Sequence, residues 1–152
     1  EKIQAAREAA RNKEAADLVI NARTDILAMA PDRSKGIEEA VIRGNKYLKA
    51  GADLVFVTMV STPEEAKRLV YGIQGPVSIA AGMPYNMKTP SISQLRDCGV
   101  SRVSLPAILV FSAIEAMKKT LSIVKESDTF EEIGRRGLLC SPQDLTSILA
   151  RP

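Results

Sequence analysis

The sequence predicts an α/β fold in which four parallel strands, each followed by a helix, form part of a (β/α)8 barrel. Three observations predict it: four short apolar runs recur along the 152 residues, helical patterns fill the intervals, and the turn after the first run holds no glycine. Short, nearly continuous apolar runs suit parallel strands covered by helices. Strand–helix alternation with short turns requires parallel pairing through right-handed crossovers. An open sheet built for a nucleotide places a glycine-rich turn after its first strand, whereas this turn reads Ala22-Arg23-Thr24-Asp25. Nothing resembles a phosphate-binding P-loop. The barrel therefore leads over the open doubly wound sheet.

The elements follow in order. Residues 1–16 read as a helix feeding the first strand, and 17–125 as four βα units. The runs are Leu18-Val19-Ile20-Asn21-Ala22, Leu54-Val55-Phe56-Val57, Pro76-Val77-Ser78-Ile79-Ala80 and Val100-Ser101-Arg102-Val103-Ser104-Leu105. After Pro31-Asp32-Arg33-Ser34, the residues Ile37, Ala40, Val41, Gly44, Tyr47 and Leu48 share one helical face, and Gly51 ends that helix. Thr62-Pro63-Glu64-Glu65 opens the next: Thr62 caps, Pro63 suits the first position, and Glu65 is placed to complete a capping box. A third opens at Ser91, with Gln94 three residues on, and closes before Gly99. The fourth runs from about Ala107 to Lys125, and 126–152 form a helical tail with segments near 129–136 and 142–149. No linker interrupts the chain, so 1–152 is expected to be a single partial barrel domain.

The aromatic fraction is 4% with no Trp, so the core is aliphatic. A formal charge of +3, without a dense Lys/Arg block or interleaved aromatics, gives no footprint for nucleic acid. No apolar run approaches the roughly 18 residues of a membrane span. Cys98 and Cys140 fit no metal or redox spacing and are expected to be reduced, as in a cytoplasmic protein. The absence of histidine removes the commonest general base and transition-metal ligand. Any metal would be a hard, oxygen-ligated one.

In a barrel the site lies at the C-terminal ends of the strands. Alternation turns Leu18, Ile20 and Ala22 toward the helices and Val19, Asn21 and Arg23 inward, with Arg23 at the mouth. A guanidinium there can fork onto carboxylate or phosphonate oxygens. It can equally form an internal salt bridge, to Asp25 or Asp53, and spacing alone leaves both readings open. Thr58 and Ser104 end the second and fourth strands and can reach a ligand. Ser78 and Ala80 are small inward residues of the third. Tyr85 and Asn86, in the active-site-face loop Ala81-Gly82-Met83-Pro84-Tyr85-Asn86, are candidate polar contacts, and exposure is the reading favoured for both. The acid pairs Glu38-Glu39 and Glu64-Glu65 lie in helix first turns and complement the helix dipole.

Ile20-Asn21-Ala22-Arg23-Thr24-Asp25 resembles the strand-five signature of the isocitrate lyase and phosphoenolpyruvate mutase superfamily. Gly51-Ala52-Asp53-Leu54-Val55-Phe56-Val57 is similar to its strand six, Gly75-Pro76-Val77-Ser78-Ile79 to strand seven, and Gly99-Val100-Ser101-Arg102-Val103-Ser104-Leu105 to strand eight. The resemblance covers about Glu1 to Lys125 and is greatest to the phosphonomutase and 2-methylisocitrate lyase-like branch. It implies that the chain is the C-terminal half, strands five to eight, of a (β/α)8 barrel. It implies Mg2+-dependent cleavage or formation of C–C or P–C bonds in small 2-oxo or 2-hydroxy acids, through an enolate-like intermediate. The substrate is then a small carboxylate or phosphonate, bound by Arg23 with Asn21, Thr58 and Ser104 as candidate contacts.

The resemblance also marks departures. Lyase members carry a glutamate where this chain has Thr58 and an asparagine near Ala80, which argues against a true isocitrate or methylisocitrate lyase. The family's metal-binding carboxylates and its catalytic loop precede strand five, so no catalytic or metal-binding residue is expected in this chain. The chain is expected to be inactive alone and to complement a missing N-terminal half-barrel. The family's exchanged last helix implies a homo-oligomer. Two other readings stand beside this one. A phosphate-binding barrel has Gly82 in its favour but no glycine in Ser104-Leu105-Pro106-Ala107. A non-catalytic half-barrel would serve as an assembly module through its long fourth helix.

Overall fold

The computed structural model describes residues 1–150. They form two compact units, one of Glu1–Ala107 and one beginning at Ile108. The first contains α1 (Lys2–Asn12), β1 (Asn21–Thr24), α2 (Ile26–Met29), α3 (Arg33–Lys49), β2 (Leu54–Val57), α4 (Pro63–Gly72), β3 (Val77–Ala80), a 3-10 turn (Pro84–Asn86), α5 (Ile92–Asp97) and β4 (Arg102–Ser104). The second contains α6 (Ile108–Glu126), α7 (Glu131–Arg135) and α8 (Pro142–Leu149). In it Ile123 and Ile133 are buried, while Leu109, Phe111, Met117 and Leu121 are exposed along α6. Among the described residues no helix is long and apolar enough to cross a membrane.

The four strands form one parallel sheet in the order β1-β2-β3-β4. The order never reverses, so right-handed crossovers leave every connecting helix on the same face. The core agrees: Val55, Val57, Val77 and Ile79 pack with Ile37 and Ala40 of α3, Leu69 of α4 and Leu95 of α5. The alternate residues occupy the other face. There the register aligns Arg23, Phe56, Ser78 and Arg102 in one row across all four strands. This one-sided covering departs from a doubly wound sheet, whose helices flank both faces.

β1 starts later than the sequence run suggests. Leu18 and Val19 lie outside the strand and are exposed, so neither the helix-facing place expected for Leu18 nor the inward place expected for Val19 holds. The reason is that Asp53 accepts from the Ile20 N–H at 2.7 Å and the backbone pairs with β2 only from Asn21 onward. Ala22 and Thr24 are buried on the helix side.

Local chemistry sets the helix ends. Asp32 caps α3, accepting from Lys35 N at 3.0 Å, and Gly51 follows it with φ +102°, a conformation that costs glycine little. Thr62 caps α4 from Glu65 N. The capping box expected there does not close, because the Glu65 carboxylate turns to Arg33 and to the Ser61 N–H. Ser91 and Gln94 do close theirs at α5. Asn45 of α3 ties down the end of α4, donating to Gly72 O at 3.0 Å and accepting from Gln74 N at 2.8 Å.

α3 packs tightly on α4 at Gly72, where an added Cβ would stand 2.8 Å from a Val41 methyl. Gly72→Ala is therefore expected to lower stability by about 1–3 kcal/mol through overpacking. Urea denaturation checks it, and an unchanged midpoint would show that Val41 yields freely.

Candidate functional site

The chemistry-bearing side chains gather where the strands end. A cavity of about 400 Å3 opens there, with Arg23, Asp25, Thr58 and Tyr85 as its polar wall and Ala28, Phe56, Met59, Ala80, Met83 and Pro106 as its apolar one. A larger hollow, about 490 Å3, lies on the helix surface around Ile42, Arg68 and Tyr71 and includes no strand-end residue.

Arg23 projects from the face opposite the helices. Its Cζ lies 5.7 Å from the centre of the Phe56 ring, its partner in the register, a distance at which a cation is attracted to the ring. Its Nε donates to both Asp25 oxygens, at 2.8 and 3.1 Å, and one terminal nitrogen stands 2.8 Å from Oδ1. The other, Nη1, has no partner among the described residues, so the guanidinium keeps free donors beside the cavity. Asp25 accepts in turn from the buried Thr58 hydroxyl at 2.7 Å. The Thr58 hydrogen bond, opposed by partial burial and aided by Arg23, holds the Asp25 carboxyl below its usual range.

A second network fixes the loops around the cavity. Arg33 donates to Leu27 O at 3.0 Å, to Met59 O, and to both Glu65 oxygens at 2.5 and 2.8 Å. Glu65 also accepts from the Ser61 N–H at 2.8 Å and hydroxyl at 3.1 Å. Burial opposes its ionisation, but the Arg33 bond and the Ser61 donors outweigh burial and hold its pKa at about 2. Met59, at the apex of this loop, adopts φ +63°, a strained setting for a side chain with Cβ. Its N–H donates to the Tyr85 hydroxyl at 3.2 Å. Asn86 Nδ2 donates to Val60 O at 2.9 Å and Ala80 O at 2.7 Å.

Of the residues expected at the site, the cavity brings together Arg23 and Thr58. Asn21 and Ser104 lie outside its lining. Asn21 Oδ1 is buried without a hydrogen-bond partner among the described residues. Ser104 Oγ accepts from Arg102 at 2.9 Å. The proton of Thr58 goes to Asp25, so toward a ligand Thr58 can act only as an acceptor. Of the two salt-bridge partners considered for Arg23, Asp25 is the one it meets, since Asp53 pairs with Arg7. The expected exposure of Asn86 is corrected: it is buried, because its amide ties the loop after β2, at Val60, to the end of β3, at Ala80. Sequence reasoning did not foresee the Arg33–Glu65 network, whose members are 32 residues apart and carry no motif.

Among the described residues no group of three or more His, Cys, Asp or Glu is placed to hold a metal ion. Asp25 is the one carboxylate in the cavity lining, and Arg23 and Thr58 already engage it. A divalent cation of the Mg2+ type asks for about six oxygen ligands in near-octahedral array. These residues do not fit it.

Comparison with known proteins decides the family. The family model described as phosphoenolpyruvate phosphomutase matches residues 1–125. The chain belongs to that family. A 2,3-dimethylmalate lyase from Eubacterium barkeri is 33% identical over 115 residues, which are 74% of this chain and 37% of that one. A 2-methylisocitrate lyase from Halalkalibacterium halodurans is 31% identical over 133 residues, 86% of this chain and 40% of that one. The chain thus spans about two fifths of the length of these relatives. A crystal structure of a 2,3-dimethylmalate lyase of the PEP mutase/isocitrate lyase superfamily superposes with TM-score 0.70 at 25% identity, covering 97% of this chain and 49% of that one. The superfamily resemblance read from the strand motifs is thereby borne out, and the family is one of lyases and phosphonomutases.

The low Glu65 pKa has a consequence for the loops. A carboxyl depressed from 4.5 to about 2 stabilises the fold fully above the unfolded value, and that contribution is lost as pH falls from 4.5 toward 2. Between pH 7 and pH 3 the native chain is expected to lose about 2 kcal/mol more than Glu65→Gln. Urea midpoints at both pH values test this, and parallel losses in the two proteins would refute it.

Proposed function

We propose that this chain supplies the acid-binding side of an enzyme that breaks or forms a C–C or P–C bond in a small 2-oxo or 2-hydroxy acid, with Arg23 gripping the substrate's acidic group. The observation that carries the reading is the position of Arg23 at the end of β1, beside the cavity, with Nη1 free. A planar guanidinium suits the two oxygens of a carboxylate or the oxygens of a phosphonate. Asp25, itself held by the Thr58 hydroxyl, holds its inner edge, so the outer edge is oriented before substrate arrives. Bond cleavage next to a carboxylate builds negative charge on the substrate, and a prearranged cation stabilises that charge without reorganising.

In this reading the sheet is strands five to eight of an eight-stranded barrel. The unreversed strand order and one-sided helical layer support it. Thr58, Asn21 and Ser104 are assigned lesser contacts on the same face. The bond-breaking groups, and the carboxylates for the Mg2+ that the resemblance implies, are assigned to residues outside this chain. A homo-oligomer is part of the proposal, supported by the apolar side chains exposed along α6.

Pyruvate, the simplest 2-oxo acid, tests the site by NMR titration of the purified chain. Arg23→Gln is expected to weaken binding about tenfold, the loss of one charge-assisted interaction. Equal affinity in the two proteins would assign Arg23 to structure alone. The chain alone is expected to bind without turnover. Consumption of 2-methylisocitrate or 2,3-dimethylmalate by it would show that the bond-breaking groups are present after all.

A further inference from the structure

The wall of the strand-end cavity holds a proton that the proposed function does not use. Its polar side chains are Arg23, Asp25, Thr58 and Tyr85. An ionised Asp25 can only accept, and the Thr58 hydroxyl proton is committed to it. Tyr85 differs. Its hydroxyl accepts from the Met59 N–H at 3.2 Å. A phenol offers one proton besides its lone pairs, and among the described residues the Tyr85 proton has no acceptor. Apart from those of the Arg23 guanidinium, it is the one unspent side-chain proton in the lining.

The phenol is held from two sides. Tyr85 is half-buried, where the sequence favoured exposure, and lies in the 3-10 turn Pro84–Asn86. Asn86 Oδ1 accepts from the Met83 N–H at 2.9 Å, and Asn86 Nδ2 ties the turn to Val60 O and Ala80 O. From the other side the Met59 N–H holds the hydroxyl itself. Met59 sits at φ +63° and its carbonyl accepts from Arg33, so the turn that presents this N–H is fixed by the Arg33–Glu65 network. The rest of the lining is apolar, including Phe56, Met59, Met83 and Pro106. A neutral donor in such a wall costs little while water reaches it, but is left unpaired when an apolar group displaces that water. A ligand oxygen keeps it paired. Arg23 and Tyr85 line one cavity of about 400 Å3, a volume suited to a single small molecule. The wall thus presents a charged fork and a neutral donor, and its chemical match is a small acid that also carries an uncharged oxygen.

We propose that Tyr85 is a specificity-determining residue of this site, its hydroxyl donating to the carbonyl or hydroxyl oxygen on the carbon beside the acid group that Arg23 holds. The proposal rests on the acid-binding role given to Arg23 and adds the contact that separates a 2-oxo or 2-hydroxy acid from a plain carboxylic acid. Arg23 supplies affinity for any small acid. Tyr85 supplies selection, because an acid without that oxygen strands the phenol proton. The ligand oxygen accepts from the same phenol to which the Met59 N–H donates, and two hydrogen bonds chained through one hydroxyl strengthen each other.

NMR titration of the full chain with pyruvate, lactate and propionate tests the assignment, since the three acids share one carbon skeleton and differ only at the carbon beside the carboxylate. Pyruvate and lactate are expected to bind about tenfold more tightly than propionate, and a preference for either one over propionate supports the assignment. Tyr85→Phe keeps the ring and removes the proton, and should bring the preferred acids down to the affinity of propionate. Arg23→Gln should weaken all three and keep their ranking. A readout free of mutation guards against a misplaced loop in the variant. In the native chain the Met59 amide proton should move downfield with a preferred acid and not with propionate, because a phenol that donates is a stronger acceptor. The assignment is overturned if native protein binds the three acids alike or if Tyr85→Phe keeps the preference. It is equally overturned if Tyr85→Phe weakens propionate as much as pyruvate, the mark of a purely structural tyrosine, or if the Met59 amide responds alike to every ligand. Any of these failures with Arg23→Gln still weakening all three acids leaves the proposed function standing. Indifference of all three to Arg23→Gln removes the proposed function, and the role of Tyr85 with it.

Discussion

The two-residue period of four parallel strands, locked in register, is the constraint on which the rest of the structure depends. Val55, Val57, Val77 and Ile79 must face the helices to bury their side chains, and that choice turns Arg23, Phe56, Ser78 and Arg102 to the other side. A one-residue slip of β1 would drive Arg23 into the helical layer, where a guanidinium without a counter-charge is costly to bury. The burial of Ala22 and Thr24 and the exposure of Arg23 show which register wins. The hydrophobic energy of the helix face thus fixes the direction of the charged one. The site residues need not stabilise the sheet that carries them.

The two arginine–carboxylate pairs near the cavity do different work, and their exposure separates them. Arg33–Glu65 is largely shielded, with the Glu65 side chain 12% exposed, and it joins the loops after β1 and β2 through carbonyl and N–H groups as well as charge. Arg23–Asp25 is open to water, with side chains 60% and 49% exposed. An exposed pair of this kind is worth about 0–1 kcal/mol, so a ligand can share or displace it at little cost. The two readings of Arg23 open at the sequence level are therefore compatible. Asp25 is its resting partner and orients it, and the pairing is weak enough to admit an anion.

What was legible in the sequence was what repeats. β2 was read to its true ends because Leu54–Val57 is uniformly apolar, and the caps at Thr62 and Ser91 because capping depends on residues within three positions. The start of β1 was misread because Leu18 and Val19 share the apolar character of a strand while lying beyond the pairing that defines one. Contacts spanning dozens of residues left no local pattern. The turn of Glu65 away from its expected box toward Arg33, and the burial of Asn86 between Val60 and Ala80, are decided by what the fold brings alongside. The placement of Arg23 was recoverable because alternation and strand direction together determine it. The row that Arg23 shares with Arg102 depends on register across four strands, which no single motif encodes.

The hydroxyl at position 58 shows how one residue can set the electrostatics of the whole cavity. Thr58 donates its proton to Asp25, so Asp25 stays ionised and fixed while Arg23 keeps a free edge. By the resemblance noted above, lyases of the superfamily carry a glutamate at this point. A carboxylate there would stand beside Asp25 with no proton to give. Two adjacent carboxylates cannot both ionise easily, so one would take up a proton or draw in a cation. With Thr58 the cavity instead keeps a single, paired carboxylate beside the free edge of a cation. This arrangement favours holding an anion over exchanging protons with it, consistent with a wall that binds the substrate's acid and leaves the bond chemistry to groups elsewhere.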